Sequence, residues 1–135
     1  MKRNKLRAKR TGKYASKAEA ARAVELQHLE KAGIIKDLVE QERFEISPPG
    51  CQPIVYITDF SYTLPSGKRI ANDVKGLITD VFKLKMKLFQ CRFPDIPVLL
   101  SKARYRKGAI NKFDSIVYHR NMKWKWTNCV DEMQL

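Results

Sequence analysis

The stretch Ile54-Val55-Tyr56-Ile57-Thr58-Asp59-Phe60-Ser61-Tyr62-Thr63, then Leu64-Pro65-Ser66-Gly67-Lys68, then Arg69-Ile70-Ala71-Asn72-Asp73-Val74-Lys75, decides the fold class. Its first run is β-branched and aromatic, which predicts a strand. Pro65 to Gly67 supply the turn, and residues 69–75 return as a second strand, antiparallel because so short a connection allows nothing else. A turn centred near Ser66 sets Asp73 directly opposite Asp59, with Cβ atoms about 5 Å apart. Asp73 and Lys75, two positions apart, project to one side of their strand.

Working outward, Ser16-Lys17-Ala18-Glu19 is a capping box that starts a helix over residues 17–32. Ala20, Ala23, Val24, Leu26 and Leu29 continue it at helical spacing, and Gly33 stops it. An extended region from Ile34 to Ile46 is broken by Pro48-Pro49-Gly50. Gly76 ends the hairpin. Thr79 then caps a second helix over residues 80–91, with Val81, Leu84 and Leu88 near its core face and Lys83, Lys85 and Lys87 outside. Val98-Leu99-Leu100 reads as a short buried strand, Lys102 to Lys112 as a basic loop, and Ser115 to His119 as one more strand. The order predicts an α/β fold with a mixed central β-sheet flanked by helices. The stretch holding Trp124 and Trp126 has no placement at this level.

Charge names a class of partner. Lys and Arg number 27 against 14 acids in 135 residues, a formal net charge of +13. Such an excess concentrates polyanions, which points to nucleic acid ahead of an acidic membrane surface. Residues 1–13 carry Lys2, Arg3, Lys5, Arg7, Lys9, Arg10 and Lys13 with no acid, and read as a basic arm or as a solvated tail. Lys83, Lys85, Lys102, Arg104, Arg106 and Lys107 are further candidates for phosphate contact. No apolar run is long enough to span a bilayer, and the basic start is not followed by an apolar signal segment. Cys51, Cys91 and Cys129 are too scattered for a zinc site with His28 and His119, and read as reduced thiols.

Opposed Asp59 and Asp73 repel, and a divalent cation would remove that cost, Mg²⁺ favouring carboxylate and water oxygens. Lys75 beside them could stabilise developing negative charge or help orient an attacking water. Glu19 lies on the helix sector of Ala23 and Leu26, which should face the sheet. A surface cross-strand salt network accounts equally well for the hairpin residues, and the capping box by itself accounts for Glu19.

Glu19 on the first helix, Tyr56-Ile57-Thr58-Asp59-Phe60 and Asn72-Asp73-Val74-Lys75-Gly76 together resemble the PD-(D/E)XK nuclease superfamily. Tyr14-Ala15-Ser16-Lys17-Ala18-Glu19, with Leu29-Glu30-Lys31-Ala32-Gly33 and Gln41, resembles a family of small phage-encoded nuclease-like proteins, the likeness running over residues 14–100. Thr58 stands where the superfamily signature has proline. The resemblance implies a restriction-endonuclease-like core and a metal-dependent DNA endonuclease using Mg²⁺, or Mn²⁺ in its place. Asp59, Asp73 and the Val74 carbonyl would hold the metal, with Glu19 contributing directly or through water, Lys75 catalytic and Gln41 supporting. The resemblance does not fix the substrate; the lack of a base-reading motif favours DNA shape or junctions, with branched DNA the preferred refinement, the host cytoplasm the location for a phage-encoded chain and a homodimer a compatible state. The domain division expected is an arm over 1–13, a nuclease domain over 14–120 and a tail over 121–135. The competing expectations are a non-catalytic nucleic-acid-binding protein with this fold and a virion adaptor.

Overall fold

The computed structural model describes residues 16–75, 77–118 and 129–135. The basic arm, Gly76, His119 and both tryptophans lie outside them. Helix α1 spans Lys17–Lys31, its N-terminus capped by Ser16, whose hydroxyl accepts the Glu19 N–H at 3.1 Å. Gly33 follows at φ 75°, and the Gly33 and Ile34 N–H groups close the helix on the carbonyls of Glu30 and Leu29. Strands β1 (Lys36–Glu40), β2 (Arg43–Glu45), β3 (Val55–Ile57), β4 (Phe60–Thr63) and β5 (Arg69–Val74) follow. Helix α2 (Asp80–Arg92) then leads to β6 (Val98–Arg106) and β7 (Ala109–Val117).

Five strands form a mixed sheet in the order β1-β4-β5-β6-β7, antiparallel except for the β5–β6 pair, and β2 and β3 form a separate two-stranded sheet. The α/β class with helices against a mixed sheet is thus as expected. Parallel β5 and β6 need a crossover, and α2 supplies it. The helices take opposite faces. Ala23 and Leu26 of α1 pack with Phe60, Tyr62, Ile70 and Leu99, whereas Phe82, Met86 and Phe89 of α2 pack with Ala71, Val98, Leu100 and Ile116. Phe44 of the small sheet joins the second core, its ring 5.1 Å from Phe89 in an edge contact.

Five features depart from expectation. The run from Ile54 to Thr63 is two strands broken at Thr58-Asp59, and the Ile34–Ile46 region is likewise broken at Gln41-Glu42. The two breaks face each other. Glu40 pairs with Phe60 and Arg43 with Ile57, each pair equidistant along the chain from Gly50, so one long ribbon keeps its register through a shared bend. Bending lets its outer half leave the main sheet and cover α2, burying Phe44 and Tyr56.

The core face of α2 is Phe82, Met86 and Phe89, while Val81 and Leu84 are 65% and 58% exposed. Phe82, Met86 and Phe89 take the core in place of Val81 and Leu84, while Leu88 packs half-buried against it as the spacing suggested. In α1, similarly, Val24 is exposed and Arg22 is buried in its stead.

The supposed loop Lys102–Lys112 is the outer half of the β6–β7 hairpin. Arg106 pairs with Ala109 across Lys107-Gly108, whose φ angles of 53° and 78° give the two-residue turn that matches strand twist. The run of cations masks its strand character, Arg106, Lys107 and Lys112 being exposed and Lys102 and Arg104 half-buried.

Candidate active site

The bend in the ribbon places the two aspartates. The β4–β5 ladder runs out at Phe60–Asn72, and one position further Asp59 faces Asp73. Here side chains replace the backbone ladder. The Asp59 N–H donates to Asp73 Oδ1 at 2.8 Å, and the Val74 N–H donates to Asp59 Oδ2 at 2.9 Å. Each carboxylate therefore takes a hydrogen bond that regular pairing would have given to a carbonyl, which fixes both without a side-chain partner of opposite charge.

Asp73 is only 2% exposed and accepts two more donors, the Tyr56 hydroxyl at 2.5 Å and, more weakly, the Thr58 hydroxyl at 3.4 Å. Tyr56 and Thr58 lie two apart, so both present to the same side. That alternation is the one sequence signal that could have nominated Tyr56, which the sequence reading missed. Burial, reinforced by the Asp73 charge, pushes the Tyr56 hydroxyl well above its ordinary pKa and keeps it a donor. Thr58 is fully buried, and its single hydroxyl proton is shared with the carbonyls of Phe60 and Asn72, at 2.9 and 3.0 Å. A hydroxyl thus secures the bend.

The other side of the bend holds Gln41 and Glu42. Gln41 adopts φ 57°, an uncommon conformation for a residue with a Cβ. It is held there by its N–H to the Asp59 carbonyl at 3.1 Å and its amide to Glu19 Oε1 at 3.3 Å. Glu42 takes the Thr58 N–H on its carbonyl at 3.1 Å, and its carboxylate contacts Ser61 and Arg69. Glu19, 7% exposed, faces the sheet beside Ala23 and Leu26 as its helical sector requires.

Asp59, Asp73 and Lys75 line one open cleft of about 270 Å³ with Tyr56, Phe82 and Lys85. The Lys75 ammonium rests 4.6 Å over the centre of the Phe82 ring, a cation–π contact that orients it. Burial, then the Asp73 charge, then Glu19 raise the Asp59 carboxyl to about 7, while the Val74 N–H and Lys75 oppose the rise. The local field is therefore short of positive charge where the two carboxylates meet.

Two aspartate carboxylates are hard oxygen donors of the kind Mg²⁺ takes while keeping waters. Asp59 Oδ1 accepts no hydrogen bond among the described residues and lines the cleft, so a ligand position is available. Among the described residues no three acidic, histidine or cysteine side chains gather tightly enough to enclose an ion. Glu19 raises the Asp59 carboxyl and accepts the Gln41 amide but is not among the cleft-lining residues, so Asp59 and Asp73 are the carboxylates in the cleft that could hold a metal.

The remaining candidates divide. Lys85 lines the cleft, and Lys83, on the same helix, lies 3.9 Å from Asp80. Lys102, Arg104, Arg106 and Lys107 lie on β6 and its turn, away from the cleft lining. Lys2, Arg3, Lys5, Arg7, Lys9, Arg10 and Lys13 fall outside the described residues. All three cysteines are exposed, no disulfide forms among the described residues, and His28 is exposed on α1.

A second polar group, also absent from the sequence reading, lies under the opposite face. Arg22, 1% exposed, donates to Asn72 Oδ1 at 2.9 Å and to Glu132 at 2.7 and 2.9 Å. Burial alone would push its guanidinium pKa down, but Tyr62 and Glu132 hold it above the ordinary value. Asn72 passes the connection on to Ser101, and Ser101 to Ser115. Glu132 comes from the last residues, which return across α1, with Met133 and Leu135 against the α1 core. The residue preceding Asp73 is thereby tied to the chain's end.

Fold and site together define an α/β protein with a mixed sheet and an aspartate pair and lysine in a cleft at the broken end of a hairpin. The chain belongs to the family described as Protein of unknown function (DUF1064), which matches residues 3–108. No curated protein and no solved structure matches it. Among the described residues no helix is long and apolar enough to cross a membrane.

Proposed function

We propose that this protein is a metal-dependent DNA endonuclease of the PD-(D/E)XK kind, hydrolysing phosphodiester bonds with Mg²⁺ or Mn²⁺. The carrying observation is the convergence of Asp59, Asp73 and Lys75 on one cleft, from strands that bend apart there. A bound divalent cation would polarise the scissile phosphate and acidify a water. The chain's own residues do the rest. Asp59 and Asp73 would hold the ion, with the Val74 and Asp59 N–H groups fixing the carboxylates in orientation. Lys75, steadied by Phe82, would stabilise negative charge growing on the phosphate oxygens or help orient an attacking water. Glu19, through Gln41, keeps the bend rigid and adds negative field. Lys85 extends the cationic wall of the cleft.

The net charge of +13 supports a nucleic acid as the polyanionic substrate. No base-reading motif accompanies it, which favours recognition of DNA shape, branched DNA included, over sequence. A second reading, a non-catalytic DNA-binding protein, draws on the hydrogen-bond donors that already engage both Asp73 oxygens.

Supercoiled plasmid incubated with Mg²⁺ or Mn²⁺, with and without chelator, tests the two. Metal-dependent nicking that disappears in Asp59→Asn and Lys75→Ala supports the enzyme. Retention of the plasmid without nicking under any divalent metal supports the binding protein.

A further inference from the structure

We infer that the projecting β6–β7 ribbon is a duplex-DNA docking arm on the sheet face that carries the aspartate cleft. This rests on the DNA reading above and specifies where the duplex lies. Asp73 is level with Leu100, and Lys75 bonds through its N–H to the Ser101 carbonyl at 2.9 Å. Leu100 faces α2, so by strand alternation Lys102 and Arg104 continue the face that carries Asp73 and Lys75. Lys112 pairs across from Arg104 on that face. Residues 102–112 hold Lys102, Arg104, Arg106, Lys107 and Lys112 and no acid.

Asp114 is the counter-charge, shared between Arg104 and Lys112, and Arg104 holds its carboxyl below the ordinary carboxylate range. One acid against five bases leaves the ribbon strongly positive. Its outer end is solvent-facing, with Arg106 and Lys107 exposed and Tyr105 62% exposed.

Length and width select the occupant. From Leu100 to Arg106 a strand advances about 20 Å at about 3.3 Å per residue. That matches about six base-pair steps of duplex at 3.4 Å each. A lone phosphate or a dinucleotide would engage only one end of such a track. A two-stranded ribbon also fits the major groove, about 12 Å wide. Tyr105, on the opposite side of β6 from Lys102 and Arg104, gives that ribbon an exposed aromatic face as well.

The test is binding of a labelled 24-bp duplex in chelator, so that chemistry plays no part, over a series of salt concentrations. The variant is Arg106→Ala with Lys107→Asn, asparagine being chosen because position 107 has φ 53°. Loss of two phosphate contacts makes the salt slope shallower by about two and weakens binding about thirtyfold at 0.15 M salt. Arg106→Lys restores most of its share, and phosphate or a dinucleotide at millimolar concentration competes poorly. Duplex affinity and salt slope equal to those of the unaltered protein would overturn the inference. Tighter binding of a 24-nucleotide single strand, with an equal loss in the variant, would overturn the duplex assignment. If duplex binding falls as expected but no metal supports nicking, the docking arm stands and the enzyme reading fails. If nicking proceeds while the variant binds normally, the docking arm alone fails.

Discussion

Replacing Asp59 with asparagine should stabilise the metal-free protein, and the gain should depend on pH. The folded state raises this carboxyl from the ordinary 3.8 to about 7. Folded protein therefore binds the proton more tightly than unfolded chain does. Between pH 3.8 and about 7 the folded state carries the extra proton, so stability falls as pH rises through that window. Above it the full penalty of the ionised, unpaired carboxylate applies; below it there is none.

At about 1.4 kcal/mol per pKa step the ceiling is about 4 kcal/mol. Asp59 lines an open cleft, so water screens part of this, leaving about 2 kcal/mol. For 135 residues that corresponds to about 7 °C in Tm. The side-chain oxygen of the introduced asparagine can still accept the Val74 N–H. Melting curves of both proteins in chelator should thus diverge by about 7 °C at pH 8 and nearly coincide at pH 4. Mg²⁺ at pH 8 should raise the unaltered protein alone. Equal Tm differences at the two pH values would refute the electrostatic reasoning, because loss of packing has no such dependence.

Other outcomes follow from the same contacts. Lys75→Ala should slow metal-dependent nicking by about 10²–10³ at saturating plasmid, the usual effect of losing one group that stabilises transition-state charge. Tyr56→Phe removes a donor from buried Asp73 and should cost about 1–3 kcal/mol in urea denaturation. Ending the chain after Asp131 removes the Glu132 partner of buried Arg22, and should cost about 3 kcal/mol by the same measurement. Phe89→Ala, at a ring packed between Phe44, Tyr56 and Phe93, should cost about 3–5 kcal/mol.

Much of this architecture was legible in residue order because it depends on near neighbours. Ser16 caps α1 and Thr79 caps α2 through hydrogen bonds spanning three residues. The turn at Leu64–Lys68 sets the β4–β5 register, so Asp59 and Asp73 meet where counting from Ser66 places them. Charge composition likewise needs no coordinates to suggest a polyanion. Short-range constraints of this kind are local in energy, and a sequence window contains them.

Long-range partners decided the rest. The bend at Gln41-Glu42 and Thr58-Asp59 exists because both strands of a ribbon leave one sheet for another face of the molecule, which neither segment encodes alone. Arg22 is buried because Asn72 and Glu132, separated from it by 50 and 110 residues, supply its hydrogen bonds. Val81 and Leu84 face solvent because Phe82, Met86 and Phe89 fill the space over β5 and β6. The Lys102–Lys112 segment is strand, not loop, because β6 and β7 pair along almost their whole length. In each case the winning contact joins elements far apart in the chain, and its energy appears only once the tertiary fold brings them together.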